Sequence, residues 1–170
     1  MKKTLAIIGS GHLGQQIAHY AISDNHYGKV VFFDDFSTET SINGFEILGN
    51  SDAIEMEFEK QSFDQILIGI GYKHLKVRKQ LFERFIGKIP FGKIIHSTSW
   101  VDKTAKIKEG CVIYPCCCVD AHAVVGQNTI LNISSTIAHD TAVGEHCFLS
   151  PRVALAGFIT IGEMCILGIN

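Results

Sequence analysis

Very little net charge is available to this chain. Fifteen Lys and Arg stand against seventeen Asp and Glu, which leaves −2 at pH 7. That balance gives no electrostatic footprint for nucleic acid or for an anionic membrane surface, and neither partner is expected. No apolar run reaches the roughly 20 residues that span a bilayer. Met1-Lys2-Lys3 ahead of Leu5-Ala6-Ile7-Ile8 resembles the start of a secretory leader, but glycines and a histidine follow at once. No apolar h-region develops, so a cytoplasmic location is expected. The six cysteines form no C-x-x-C pair. Even the run Cys116-Cys117-Cys118 has neither zinc nor disulfide spacing, and no metal site is expected. At 46% hydrophobic and 19% charged residues the chain is globular, not disordered.

What the second half has instead is a period of six. Val101, Ile107, Ile113, Val119, Val125, Leu131, Ile137, Val143, Leu149, Leu155, Ile161 and Leu167 are all aliphatic. Two positions before each rung the residues are small or β-branched, among them Ala105, Cys111, Cys117, Thr129, Ser135, Thr141 and Cys147. Neither a helix nor an ordinary strand has this period, and a hexad repeat predicts a parallel β-helix. Three hexads make one triangular coil of about 18 residues, so just under four coils are present. Corners carry Asp, Asn, Gly and Lys, as turns require. Four of the six cysteines fall on the small-residue position, where packing accounts for them. The ladder breaks off at Asn170 inside its twelfth hexad without a capping element. Solenoid ends are normally capped, so the expectation is a β-helix incomplete at its C-terminus, or one whose end a partner covers.

The first half has a different pattern. Residues 4–8 read as a buried strand, followed by Gly9-Ser10-Gly11-His12-Leu13-Gly14 and a helix from about Leu13 to Ile22. Strand, glycine-rich turn and helix are the setting in which G-x-G-x-x-G binds a phosphate: glycines let the backbone approach, and the helix N-terminus supplies N–H groups and partial positive charge. A mere tight turn is the alternative. A second strand, Lys29 to Phe33, ends in Asp34-Asp35, and Asp34 lies twenty residues past Gly14, where an acid can hold a ribose hydroxyl. A solvated loop start is the alternative there. Gly44–Leu48 reads as a short strand, 52–63 as ambiguous, Asp64–Gly71 as a strand, Tyr72–Phe85 as an amphipathic helix and Phe91–Ile95 as a last strand. The result is an α/β unit with three or four parallel strands, half the size of a complete dinucleotide fold and better suited to a mononucleotide. Residues 1–95 hold 22 charged side chains and 96–170 hold 10. That shift sets the expected domains at 1–95, Rossmann-like, and 96–170, β-helical, with no Pro/Gly linker between them.

These motifs together resemble the bacterial sugar acetyltransferases of the NeuD/PglD type. Gly9-Ser10-Gly11-His12-Leu13-Gly14, Phe33-Asp34-Asp35, Ile70-Gly71, the stretch Leu131 to Asp140, Leu155-Ala156-Gly157 and Leu167 to Asn170 carry the likeness in order along the whole chain. The resemblance implies a left-handed β-helix behind the α/β domain. It also implies acetyl transfer from acetyl-CoA to an amine or hydroxyl of a nucleotide-linked sugar or sialic acid, in surface glycan synthesis, by a homotrimer. By the same resemblance Ser10, Gly11, His12, Asp34, Asp35, Gly71 and Asn132 contact the sugar substrate and His139 is the general base. Asp140 raises its basicity, and Gly157 and Ile169 lie along the acetyl-CoA groove. Phe148 stands where some relatives place a histidine-type contact to acetyl-CoA and is not assigned that role. Relatives carry at least one further coil, so part of the groove is expected to lie beyond this sequence.

The residues fit that chemistry. Acyl transfer needs a neutral nucleophile beside a thioester, and an imidazole of pKa about 6.5 accepts the proton near neutrality. An adjacent carboxylate fixes its tautomer. Corner N–H groups can meet the thioester oxygen as charge develops. His122 and His146 are expected to be exposed corner residues. Two other readings stay open at this level: an NAD(P)-binding oxidoreductase, which leaves the hexads unexplained, and a non-catalytic nucleotide-sugar-binding protein.

Overall fold

The structure, a computed structural model, describes residues 2–169 and divides into two units, Met1–Gly92 and Lys93–Asn170. In the first, β1 (Thr4–Ile8), α1 (His12–Ser23), β2 (Lys29–Phe33), β3 (Ser41–Ile42), β4 (Phe45–Gly49), α2 (Ile54–Glu59), β5 (Gln65–Ile68) and α3 (Leu75–Phe85) follow in order. The sheet runs β3-β4-β2-β1-β5, all parallel except the β3–β4 pair. β1 and β2 are continuous apolar runs because both faces are covered. Ala6, Ile8, Val31, Phe33, Ile66 and Ile68 pack on Phe82, Phe85 and Phe91 on one side. The other side takes α1, close enough that a Cβ on Gly14 would strike Phe32 and the Gly9 carbonyl. No helix among the described residues is long and apolar enough to cross a membrane.

Several elements depart from the expected pattern. Asn43 and Gly44 both adopt positive φ, 48° and 81°, and close a two-residue hairpin between β3 and β4. Asn-Gly is the residue pair that such turns select. In the ambiguous acidic stretch, the Asn50 side chain accepts from the Asp52 N–H and starts a turn that continues as α2, with Glu55 and Glu57 near the positive helix end. In α3 the buried face is Leu75, Arg78, Phe82 and Phe85, while Val77 is exposed. Arg78 can be buried because its Nη1 donates to the carbonyls of Ile68 (3.0 Å) and Ile70 (2.8 Å). The expected strand Phe91–Ile95 divides: Phe91 bridges Ile66 in the first unit, and Ile94–Ile95 pairs with Val112–Ile113 in the second.

The second unit is built from two-residue strands in three parallel sheets. One contains Trp100–Val101, Cys118–Val119, Thr136–Ile137 and Ala154–Leu155, and the next Lys106–Ile107, Val124–Val125, Ala142–Val143 and Thr160–Ile161. The third adds Ile166–Leu167, Phe148–Leu149, Ile130–Leu131 and Val112–Ile113 to Ile94–Ile95. Within a sheet each strand pairs with the one eighteen residues on, as Val119 with Ile137 and Val125 with Val143. The rungs form the core of a left-handed parallel β-helix. Its corners turn on one residue each: Gly110, Cys116, His122, Asn128, Ser134, Asp140, His146, Arg152, Phe158 and Met164 all have φ between 54° and 73°.

The small residues beside the rungs do more than save space. Sγ of Cys111, Cys117 and Cys147 donates to the carbonyls of Gly126 (2.9 Å), Asn132 (3.1 Å) and Gly162 (3.1 Å). The hydroxyls of Thr129 and Thr141 do the same to Gly144 (2.9 Å) and Ala156 (2.7 Å). In each case the acceptor lies fifteen residues on, so buried corner carbonyls are satisfied from inside the coil. Burial pushes the Cys117 thiol up to about 11 and that of Cys147 upward as well. Of the two corner histidines, His122 is exposed, but His146 is buried against Asn128, whose Nδ2 lies 3.0 Å from its Nδ1.

Candidate active site

The first cluster of expected site residues lies at the carboxyl edge of the parallel sheet, where the loops after β1, β2 and β5 converge. β2 and β5 flank β1 on opposite sides, which makes this the crevice where α/β sheets bind ligands. Gly9 has φ 96°, a conformation that favours glycine. Gly14 lets α1 lie against β1. Gly11 and Gly71 have neither reason: a Cβ on either would meet nothing within 4 Å, so both leave open space above the backbone. Gly11 caps α1, whose first turn carries no acidic residue and no side-chain cap, so its N–H groups face outward beside exposed His12.

Ser10 and Asp34 hold this edge together. The N–H and Oγ of buried Ser10 donate to Asp34 Oδ2 at 2.7 and 2.6 Å. The N–H groups of Phe36 and Ser37 donate to Asp34 Oδ1 at 2.9 and 3.1 Å. Burial raises the Asp34 carboxyl, but the bonds from Ser10, Phe36 and Ser37 outweigh it and hold the group below its ordinary value. With four donors already on it, Asp34 fixes the two loops. Asp35 is exposed and uses Oδ1 for the Ser51 N–H at 2.7 Å. Gln15 adds a link that sequence reasoning missed: its Nε2 donates to the Ser10 carbonyl (2.7 Å) and its Oε1 accepts from Asn43 (2.6 Å).

The second cluster is one corner of the β-helix. His139 and Asp140 follow the rung Ile137, and Asp140 takes the left-handed conformation at φ 58°. The turn brings the two adjacent side chains together, with His139 Nδ1 3.0 Å from Asp140 Oδ2. Both are partly exposed, at 51% and 39%. Gly157 occupies the same corner one coil on. A Cβ there would lie 2.8 Å from Cε1 and 2.9 Å from Nε2 of His139, so the imidazole rests over bare backbone. Phe158 sets its ring perpendicular to the imidazole, with centroids 5.2 Å apart. The carboxylate on Nδ1 leaves Nε2 as the nitrogen that can accept a proton from outside.

The other expected residues sit elsewhere. Asn132 belongs to the preceding corner, where its Oδ1 accepts from the Ile133 N–H at 2.8 Å. By register Ile169 follows Ile133 and Pro151 on that same corner, and it is 72% exposed. Phe148 is buried. Asn170, where the ladder breaks off, lies outside the described residues. Among the described residues no group of three or more His, Cys, Asp or Glu side chains converges as a metal site.

Residues 4–85 match the family model of the PglD N-terminal domain. No curated protein matches the sequence significantly. The acetyltransferase domain of PglB from Neisseria gonorrhoeae is 29% identical, with a TM-score of 0.89 over 98% of this chain and 80% of that one. The same domain solved in complex with acetyl coenzyme A gives 28%, 0.87, 99% and 80%. A histidine-to-alanine mutant of GDP-perosamine N-acetyltransferase from Caulobacter crescentus, solved with CoA and GDP-perosamine, shares the fold at 22% identity and a TM-score of 0.82, over 96% of this chain and 76% of that one. Residues 4–85 thus carry a PglD N-terminal domain, and the chain is similar along its length to those solved acetyltransferases, with an imidazole–carboxylate pair at one corner of its β-helix.

Proposed function

We propose that the protein moves an acetyl group from acetyl-CoA to an amine or hydroxyl of a nucleotide-linked sugar, as a cytoplasmic step in surface glycan synthesis. The observation that carries this reading is His139 over Gly157, with Asp140 on Nδ1. Nε2 of His139 takes the proton as the acceptor nitrogen or oxygen bonds to the acetyl carbon. The C–S bond then breaks, and the proton passes to the departing sulfur, so that free CoA leaves. Asp140 holds the tautomer and offsets the charge of the imidazolium. Ser10, Gly11, His12, Asp35 and Gly71 form the nucleotide edge, with open space over the two glycines and the α1 N–H groups toward phosphate, and Asp34 frames it. Asn132, Gly157 and Ile169 remain the proposed contacts at the transfer site, Asn132 toward sugar and the other two toward acetyl-CoA. A homotrimer is proposed with it, on the resemblance. Binding of acetyl-CoA by one relative, and of CoA with GDP-perosamine by another, supports both substrate classes.

The test is release of free thiol from acetyl-CoA in the presence of UDP- and GDP-linked amino sugars and of sialic acid. Thiol release is expected with at least one acceptor, and His139→Ala is expected to lower kcat by about 10²–10⁴-fold. An unchanged rate in that variant would remove the general base. Nucleotide-sugar binding without thiol release from any acceptor would favour a binding protein.

A further inference from the structure

Ten corners of the β-helix turn through a left-handed residue, and Phe158 is the one where that residue is a phenylalanine, at φ 59°. A bulky side chain is an outlier there, since glycine or asparagine takes the conformation more easily. Within the chain Phe158 is 76% exposed. Among the described residues its ring contact is the perpendicular packing on His139, at 5.2 Å between centroids.

We infer that Phe158 is a positioning residue for His139. The inference rests on His139 being the general base. A His–Asp pair as exposed as His139–Asp140 is weakly held by its own attraction, because solvent screens it and both side chains keep rotamer freedom. Two further contacts restrict the imidazole. Gly157 gives it a floor one coil on, and the Phe158 ring stands against it at a right angle, a favoured aromatic geometry. Floor, wall and carboxylate together select one rotamer, in which Nδ1 faces Asp140 and Nε2 faces out. The left-handed backbone at residue 158 is what aims the phenyl ring across the corner. Phe158 therefore acts on the rate through the orientation of His139.

The experiment compares Phe158→Gly and Phe158→Tyr with the parent chain in steady-state kinetics, thermal melting and NMR of the His139 Cε1–H. Phe158→Gly is expected to melt at a higher temperature, because the left-handed strain is gone. Its kcat is expected to fall about 5- to 50-fold, as misorientation of a reacting group does, with the KM of both substrates within about twofold. Its His139 resonance shifts. Phe158→Tyr restores most of the rate and keeps the parent resonance. Equal kcat in Phe158→Gly and parent, or a loss confined to KM, overturns the inference. Should no acceptor support turnover, the His139 χ1 rotamer populations from NMR three-bond couplings decide: unchanged populations in Phe158→Gly overturn it, and a spread over further rotamers upholds it. Failure of the base assignment is distinct, because it shows as His139→Ala retaining full activity whatever Phe158 does.

Discussion

Gly157 and Asp34 give opposite predictions for activity and stability at the proposed site. Gly157 does not have a left-handed φ, so Ala fits its backbone, and the nearest neighbours of the new methyl are atoms of the His139 imidazole. That ring is partly exposed and can swing away. Gly157→Ala should therefore leave stability within about 0.5 kcal/mol in denaturant unfolding, while thiol release falls about 10- to 100-fold as the proposed base, His139, loses its seat. Loss of stability in proportion to activity would count against this account. Asp34 has the opposite profile. Its carboxylate accepts four bonds and its folded pKa is depressed. A depressed acid contributes stability above its unfolded value of about 3.9, and that contribution is lost as pH falls through the folded value. Asp34→Asn should cost about 1–2 kcal/mol at pH 7, less than a buried charge would because Asp34 is partly solvated. The gap from the parent should narrow on acidification below about pH 4. A gap that stays constant across that range would show that the bonds are not to an ionised carboxylate.

At the scale of the element, the hexad was legible because its rungs obey a strict steric demand. One aliphatic side chain per six residues fills a triangular coil, and no other common structure repeats so. The glycine loop and its double acid were legible for a similar reason, since strand, turn and helix leave few alternatives. What could not be read was direction within a position. The period places Cys111, Thr129 and Thr141 inside the coil but does not say that they donate to carbonyls fifteen residues on. An amphipathic helix hides Arg78 among its polar residues, although two carbonyls at the end of β5 make it a core residue. Phe91–Ile95 is apolar in all but two positions and carries no mark of the point where it changes units. The glycine column Gly126, Gly144, Gly162 gives a prediction at this scale. A Cβ on Gly126 would lie 2.5 Å from the backbone of Gly144, and one on Gly144 2.6 Å from the backbone of Gly162. Backbone cannot step aside as a ring can. Gly126→Ala and Gly144→Ala should each cost more than about 2 kcal/mol in thermal or urea unfolding. Costs below about 0.5 kcal/mol would mean that the coils can spread at that corner.

For the whole molecule, the proposed homotrimer predicts a particle of three times the 18.7 kDa chain mass by light scattering coupled to size-exclusion chromatography. A mass of one chain at concentrations that support activity would sink it. The eighteen-residue register has one more consequence, for lineages and for engineers. The proposed base and its floor are the same corner on successive turns, Asp140 and Phe158 being one full turn apart in the register that pairs Ile137 with Leu155. A one-residue insertion between them would put a different side chain beneath the imidazole and erase the site. Gain or loss of a full turn elsewhere in the solenoid would slide the corner along the axis by one strand spacing, about 4.8 Å, and leave it whole. Length in such a protein can therefore vary in steps of eighteen while the chemistry is inherited intact, as a block two turns tall.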